Sequence, residues 1–156
     1  MILATPAAAD PVAEIKAARA ACNSAIAARN AAGVRAALAE NYVGIAGSGG
    51  EVVSGADAMT DYFARAFNMP DNTPGFLGFV RTPDVVTVAN PPLRARERGH
   101  WSGGSMNGRF SGEYLAVRVP TPEGWKLRSE TFVTLGVTLG VTLGETLGET
   151  LANGAP

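Results

Sequence analysis

Near residue 76 the spacing of apolar residues changes from about 3.6 to about 2, which restricts the chain to helices followed by a sheet. Before the switch, Val12, Ile15, Cys22 and Ile26 recur at helical spacing, with alanines filling the same stripe. Lys16, Arg19 and Asn23 are assigned to the other, polar side of that helix. Asp10-Pro11 supplies its start, an oxygen acceptor for the first free N–H groups and then a proline that lacks one. Asn30 caps a shorter second helix, whose Val34 and Leu38 face the same way. Residues 42–46, a glycine-rich turn at 47–50 and residues 51–53 read as a small hairpin. Ser54, with Asp57 three residues on, predicts a capping box opening a third helix. Its apolar face is Met59, Phe63, Ala66 and Phe67.

After the switch, residues 76–81 and 85–89 are short strands broken at Pro83-Asp84. Longer strands follow at 94–103, 109–119 and 124–135, joined by hairpin turns around Asn107-Gly108 and Pro120 to Gly124. Helices followed by a meander make an α+β order. The last part of the chain repeats a tetrad, Val-Thr-Leu-Gly from Val133, Val137 and Val141, then Glu-Thr-Leu-Gly from Glu145. A period of four is even, so as strand it puts Val133, Leu135 and Val137 on one face. Glycine at every fourth position opposes both helix and strand, so a weakly ordered repeat is favoured over an extended edge that pairs with another chain.

Composition narrows the function. Thirteen basic and fourteen acidic residues leave a net charge of −1, which gives no field for nucleic acid or an anionic membrane. One cysteine, Cys22, permits no internal disulfide and reads as a core residue. With the single His100, it argues against a metal site, and no cofactor is implied. Charged residues are only 17% of the chain, as suits a protein that covers one face with its own copy. Residues 1–9 resemble the end of a signal peptide, with Pro6 and three alanines before Asp10. Localisation is therefore cytoplasmic by default, and periplasmic or secreted if that extension is a truncated signal. The domain division is an extension at 1–9, a folded domain at 10–135 and the repeat at 136–156.

Four stretches carry a family resemblance: 25–30 (AIAARN), 95–101 (ARERGHW), 111–114 (SGEY) and 124–130 (GWKLRSE). Between residue 10 and about residue 135 the chain resembles the nuclear transport factor 2-like superfamily, in its SnoaL-like or ketosteroid-isomerase-like branch of unknown function. The resemblance implies a cystatin-like fold: a cone-shaped, curved antiparallel sheet packed on three N-terminal helices and enclosing a pocket. It also implies a homodimer built through the sheet. It does not imply an activity, because this superfamily holds isomerases, cyclases, hydrolases, dehydratases and proteins that only bind. The isomerases place a tyrosine on the first helix and an acid after the second. Here residues 10–29 lack tyrosine and residues 41–50 lack any acid.

The candidate acids elsewhere are Glu97 and Glu130. Alternation puts Ala95, Glu97, Gly99 and Trp101 on one covered face, so Glu97 must be paired or carry a raised pKa. Arg109 and Arg128 are its expected salt-bridge partners, and a cluster of Glu97, Glu113, Arg109, Arg128 and Glu130 is one arrangement. On the last strand, alternation puts Trp125, Leu127, Ser129, Thr131 and Val133 on one face, with Lys126, Arg128, Glu130 and Phe132 on the other. A solvated charge ladder explains these residues more simply than a catalytic cluster. The expected pocket wall is Tyr42, Phe63, Phe67, Trp101 and Tyr114. His100, among arginines, reads as a surface imidazole. Three functions compete: a binder of a small apolar or amphipathic molecule, a cofactor-free lyase, isomerase or hydrolase using Glu97 or Glu130 as base, and an oligomerisation module.

Overall fold

The computed structural model describes residues 10–46, 50–69, 76–105 and 108–139. The possible signal remnant, the tip of the first hairpin and the repeat beyond Leu139 lie outside them. The order is α1 (Pro11–Ala27), α2 (Ala31–Ala36), β1 (Leu38–Ala46), β2 (Glu51–Ser54), α3 (Ala56–Phe67), β3 (Phe76–Ala89), β4 (Arg94–Ser105), β5 (Gly108–Thr121) and β6 (Gly124–Leu139). The six strands form one sheet in the order β2-β1-β6-β5-β4-β3. Helices and sheet pack as an α+β domain. The sheet is mixed, not wholly antiparallel: β1 runs parallel to β6, because β1 enters from the helices and inserts beside the final strand.

The helix starts follow from local chemistry. Asp10 Oδ1 accepts from Val12 N at 3.0 Å, and Asn30 Oδ1 accepts from Gly33 N at 3.0 Å. The capping box expected at Ser54 does not form, since Ser54 ends β2 and α3 starts after Gly55. Gly55 sits at φ 97°, a conformation that favours glycine, and its N–H donates to Tyr42 O at 2.7 Å. Asp57 instead accepts from Arg35 Nε at 2.8 Å, tying α3 to α2. Ala56, Met59, Phe63 and Phe67 form the buried side of α3.

Three of the sheet's register shifts, one in β3 and two in β6, bear on which side chains face the core. In β3 the expected break at Pro83-Asp84 is a bulge inside one continuous strand: Pro83 pairs with Gly99 and Val85 with Arg98, leaving Asp84 extra. Gly99 is required there, because a Cβ on it would lie 2.0 Å from Thr82 O. Between β5 and β6, Val117 pairs with Ser129 and Arg118 with Leu127, which leaves Arg128 unmatched. That extra residue exchanges the faces of β6. Trp125 and Leu127 are buried before it, and Glu130 after it, on the same side of the sheet. The strict alternation expected for residues 125–133 therefore fails at Arg128. A third shift lies between Ser111 and Gly112, opposite Leu135.

β6 runs through Leu139, so the first tetrad and most of the second are sheet, paired with β5. Val133, Leu135 and Val137 are exposed by 52%, 69% and 55%, but the extra residue at Leu135 exchanges the faces again: Val133 pairs with the exposed Glu113 on the outer side, and Val137 with Phe110 on the inner side.

The core has two parts. A large one packs Cys22, Ile26, Val34, Leu38, Phe63 and Phe67 with Tyr114 and Leu127. A smaller one joins Ile15, Ala95 and Trp125. Between α1 and the sheet lie Arg19, Arg81, Arg118, Glu97 and Glu130, each at most 3% exposed.

Candidate functional site: a buried ion chain at the wall of an apolar cavity

Arg19 is brought inside by α1. Ile15, Arg19, Cys22 and Ile26 are spaced by four, three and four residues, so all four lie on one stripe. The polar side assigned to Arg19 is therefore corrected. The inner faces of the strands supply the rest: Arg81 from β3, Glu97 from β4, Tyr114 and Arg118 from β5, Glu130 from β6 and Tyr42 from β1. Asn23 fastens α1 to β3 on both backbone groups of Arg81, donating to its carbonyl at 2.8 Å and accepting from its N–H at 3.3 Å.

The five ions form a chain of alternating sign. Arg118 Nε donates to Glu97 Oε2 at 2.6 Å, and Arg19 Nε donates to Glu97 Oε1. Arg19 Nη2 then donates to Glu130 Oε1 at 2.8 Å, and Arg81 Nη1 to both oxygens of Glu130 at 2.9 and 3.0 Å. Two phenols complete the carboxylates: Tyr114 OH donates to Glu97 Oε1 at 2.6 Å and Tyr42 OH to Glu130 Oε2 at 3.1 Å. Arg81 Nη2 donates to Cys22 Sγ at 3.1 Å. Arg19 lies over the Tyr114 ring and Arg81 over that of Phe79, each at 5.2 Å.

Burial by itself would raise both carboxyl pKa values. The arginines outweigh it. Arg81 and Arg19 hold Glu130 at about 2, and Arg19 and Arg118 hold Glu97 below the usual carboxylate range. Burial, then the neighbouring carboxylates, push Tyr42 and Tyr114 well above the ordinary phenol value, so both remain neutral donors. Burial and the nearby Arg19 lower Arg118, against the pull of Glu97.

Beside this chain lies a cavity of about 320 Å³. Aliphatic walls come from Val34, Leu38 and Met59, and aromatic walls from Phe63, Phe79, Trp101, Phe110 and Phe132. Tyr42 and Arg81, both donating to Glu130, form with it a polar patch on that wall next to Cys22.

Of the five pocket residues expected from sequence, Tyr42, Phe63 and Trp101 line the cavity. Phe67 lies in the core against Phe63, with ring centroids 5.6 Å apart, and Tyr114 serves the ion chain instead. Glu97 and Glu130 are both buried, as pairing required, but their partners are Arg19, Arg81 and Arg118. The expected cluster does not assemble. Arg109 and Glu113 are exposed, and the displaced Arg128 donates to Asn41 O. His100 is 65% exposed and meets Asp84 at 2.8 Å. Among the described residues no group of three or more His, Cys, Asp or Glu is placed to hold a metal ion. No described helix is long and apolar enough to cross a membrane.

The signals for the missed arginines were the same two periods used for the apolar residues. Arg19 obeys the α1 stripe, and Arg118 follows Gly112, Tyr114 and Ala116 in alternation. Charge works against that signal, since arginine is seldom buried without a partner.

This architecture is nuclear transport factor 2-like. A nuclear transport factor 2-like protein of unknown function from Shewanella oneidensis aligns over 79% of this chain and 98% of its own, with TM-score 0.64 and 14% identity. A ketosteroid isomerase-like protein from Erwinia carotovora aligns over 81% and 98%, with TM-score 0.63 and 17% identity. A domain of unknown function with a cystatin-like fold from Nostoc punctiforme aligns over 81% and 76%, with TM-score 0.64 and 16% identity. No protein-family model matches the sequence, and none of the curated proteins matches it. At these identities the likeness is one of fold.

Proposed function

We propose that the chain binds a small, mainly apolar molecule in the cavity between α3 and the sheet. The observation that supports this most is the lining: aromatic and aliphatic walls, with a compact polar patch at Tyr42, Arg81 and Glu130. Such a lining favours an apolar body by removing it from water, while a few fixed polar groups orient it.

The glutamate-as-base alternative is less well supported. A general base works best with a pKa near the operating pH, whereas Glu130 is held at about 2 and both its oxygens accept hydrogen bonds. Glu97 is not part of the cavity wall. The binding reading is tested by titrating naphthalene-2-methanol into the protein by calorimetry. One molecule bound per chain is expected, with a rise in Tm from preferential binding to the folded state. Quenching of tryptophan emission should accompany binding, and Trp101→Phe should lose most of it. The absence of saturable heat and of any Tm shift would count against the cavity as a binding site.

The homodimer belongs to the same proposal. Leu115 and Val133 are exposed on the outer side of β5 and β6, with Leu135 exposed at the bulge next to them and Ile45 on the adjacent β1. A row of this kind is suited to being covered by a second copy. Sedimentation of the full chain should give twice the monomer mass, and Val133→Lys with Leu135→Lys should return it to monomer. A native chain that sediments as monomer at high micromolar concentration would rule the dimer out.

A further inference from the structure

We propose that the ligand of this cavity carries one negative charge, a carboxylate or a comparable oxyanion on an apolar body, held by Arg81. This rests on the binding reading above and names its ligand class.

The argument begins with charge. Among the described residues the buried ions are Arg19, Arg81, Arg118, Glu97 and Glu130, three cations against two anions. Tyr42 and Tyr114 keep their protons, donate hydrogen bonds to the glutamates and supply no negative charge. One positive charge is therefore left over in a site removed from water, where an unmatched charge is costly.

The arrangement says where the missing anion belongs. Arg118, Glu97, Arg19, Glu130 and Arg81 alternate in sign along one hydrogen-bonded chain with an arginine at each end. The Arg118 end is fully buried and borders no part of the cavity, whereas the Arg81 end forms part of the cavity wall. Continuing the alternation past Arg81 puts a negative group inside the cavity.

Hydrogen bonding agrees. Arg19 Nη1, Arg81 Nε and both Nη atoms of Arg118 are buried donors with no partner among the described residues, and of these three arginines only Arg81, with Nη1 and Nη2 engaged by Glu130 and Cys22, belongs to the cavity wall. An oxyanion accepting from Arg81 Nε would satisfy that donor by a charge-assisted bond. The rest of the wall is apolar, which calls for an amphiphile rather than a small inorganic anion.

The test compares two molecules with one body. Naphthalene-2-carboxylate is expected to bind the full-length native protein at least about tenfold more tightly than naphthalene-2-methanol, the step that one charge-assisted hydrogen bond confers. That preference should persist from about 0.01 to about 1 M salt, because a buried contact is little screened. Arg81→Gln should abolish the difference between the two ligands. Should that variant fail to fold, the native comparison and its salt dependence still decide.

Equal affinities would overturn the anionic ligand and leave the binding reading standing. A preference that disappears at high salt would assign it to surface cations and also overturn the proposal. Binding of neither molecule would remove the cavity reading and this proposal with it.

Discussion

Glu97→Ala should lower the free energy of unfolding by about 3–5 kcal/mol, the cost typical of removing one partner from a buried ion pair. The reason is geometric. Glu97 accepts from Arg19 on one oxygen and Arg118 on the other, and Tyr114 OH donates to it as well. Removing it leaves two fully covered guanidinium groups side by side with their shared counter-charge gone. Domains of this size are stable by only about 5–15 kcal/mol, so the variant approaches the limit of folding. Urea denaturation measures the effect. Adding Arg118→Met to Glu97→Ala should recover part of the loss, since the second change removes a stranded charge and keeps an apolar stem. A loss under about 1 kcal/mol for Glu97→Ala would mean that the ion chain contributes little to holding α1 on the sheet.

Acid should unfold the protein through the same groups. Glu130 has a folded-state pKa of about 2, well below the ordinary carboxylate value, and Glu97 is shifted in the same direction. A carboxyl with a depressed folded-state value contributes stability that is fully present above its unfolded pKa. That contribution is lost as pH falls towards the folded-state value. For Glu130 the window runs from about pH 4.5 down to about pH 2, and the loss amounts to about 3 kcal/mol. Glu97 adds a loss of the same sign. Urea midpoints across this range should fall steeply in the native chain. Glu130→Gln should be less stable at neutral pH and show a flatter fall. A native midpoint independent of pH between about 5 and 2 would refute the paired state of both carboxylates.

Much of the fold was legible because its signals are local. The stripe of Ile15, Cys22 and Ile26, the caps at Asp10 and Asn30, and the alternation of Ala95, Glu97 and Gly99 each depend on neighbours a few residues away. The apolar face of α3 was readable for the same reason, and it placed Phe63 on the cavity.

The site was only half legible. Glu97 could be recognised as an acid on a covered face, but its partners come from 78 residues earlier and 21 residues later in the chain. Of the expected partners, Arg109 lies on the adjacent β5 but opposite Gly104, far along β4 from Glu97, and Arg128 lies on β6, beyond β5. The single extra residue at Arg128 separated the faces of Arg128 and Glu130: it carried Glu130 inward, while Arg128 donates to Asn41 O.

The sequence by itself determined the helices and the caps at Asp10 and Asn30, the three long strands from residue 94 on, and which apolar residues could form a core, because periodicity and capping act within a few residues. Tertiary structure alone decided that β1 would lie parallel beside β6, that a bulge would exchange the faces of β6, and that three arginines would be buried. Covering a charge is favourable only once its partners are in place, and here those partners meet only when α1 closes on the sheet.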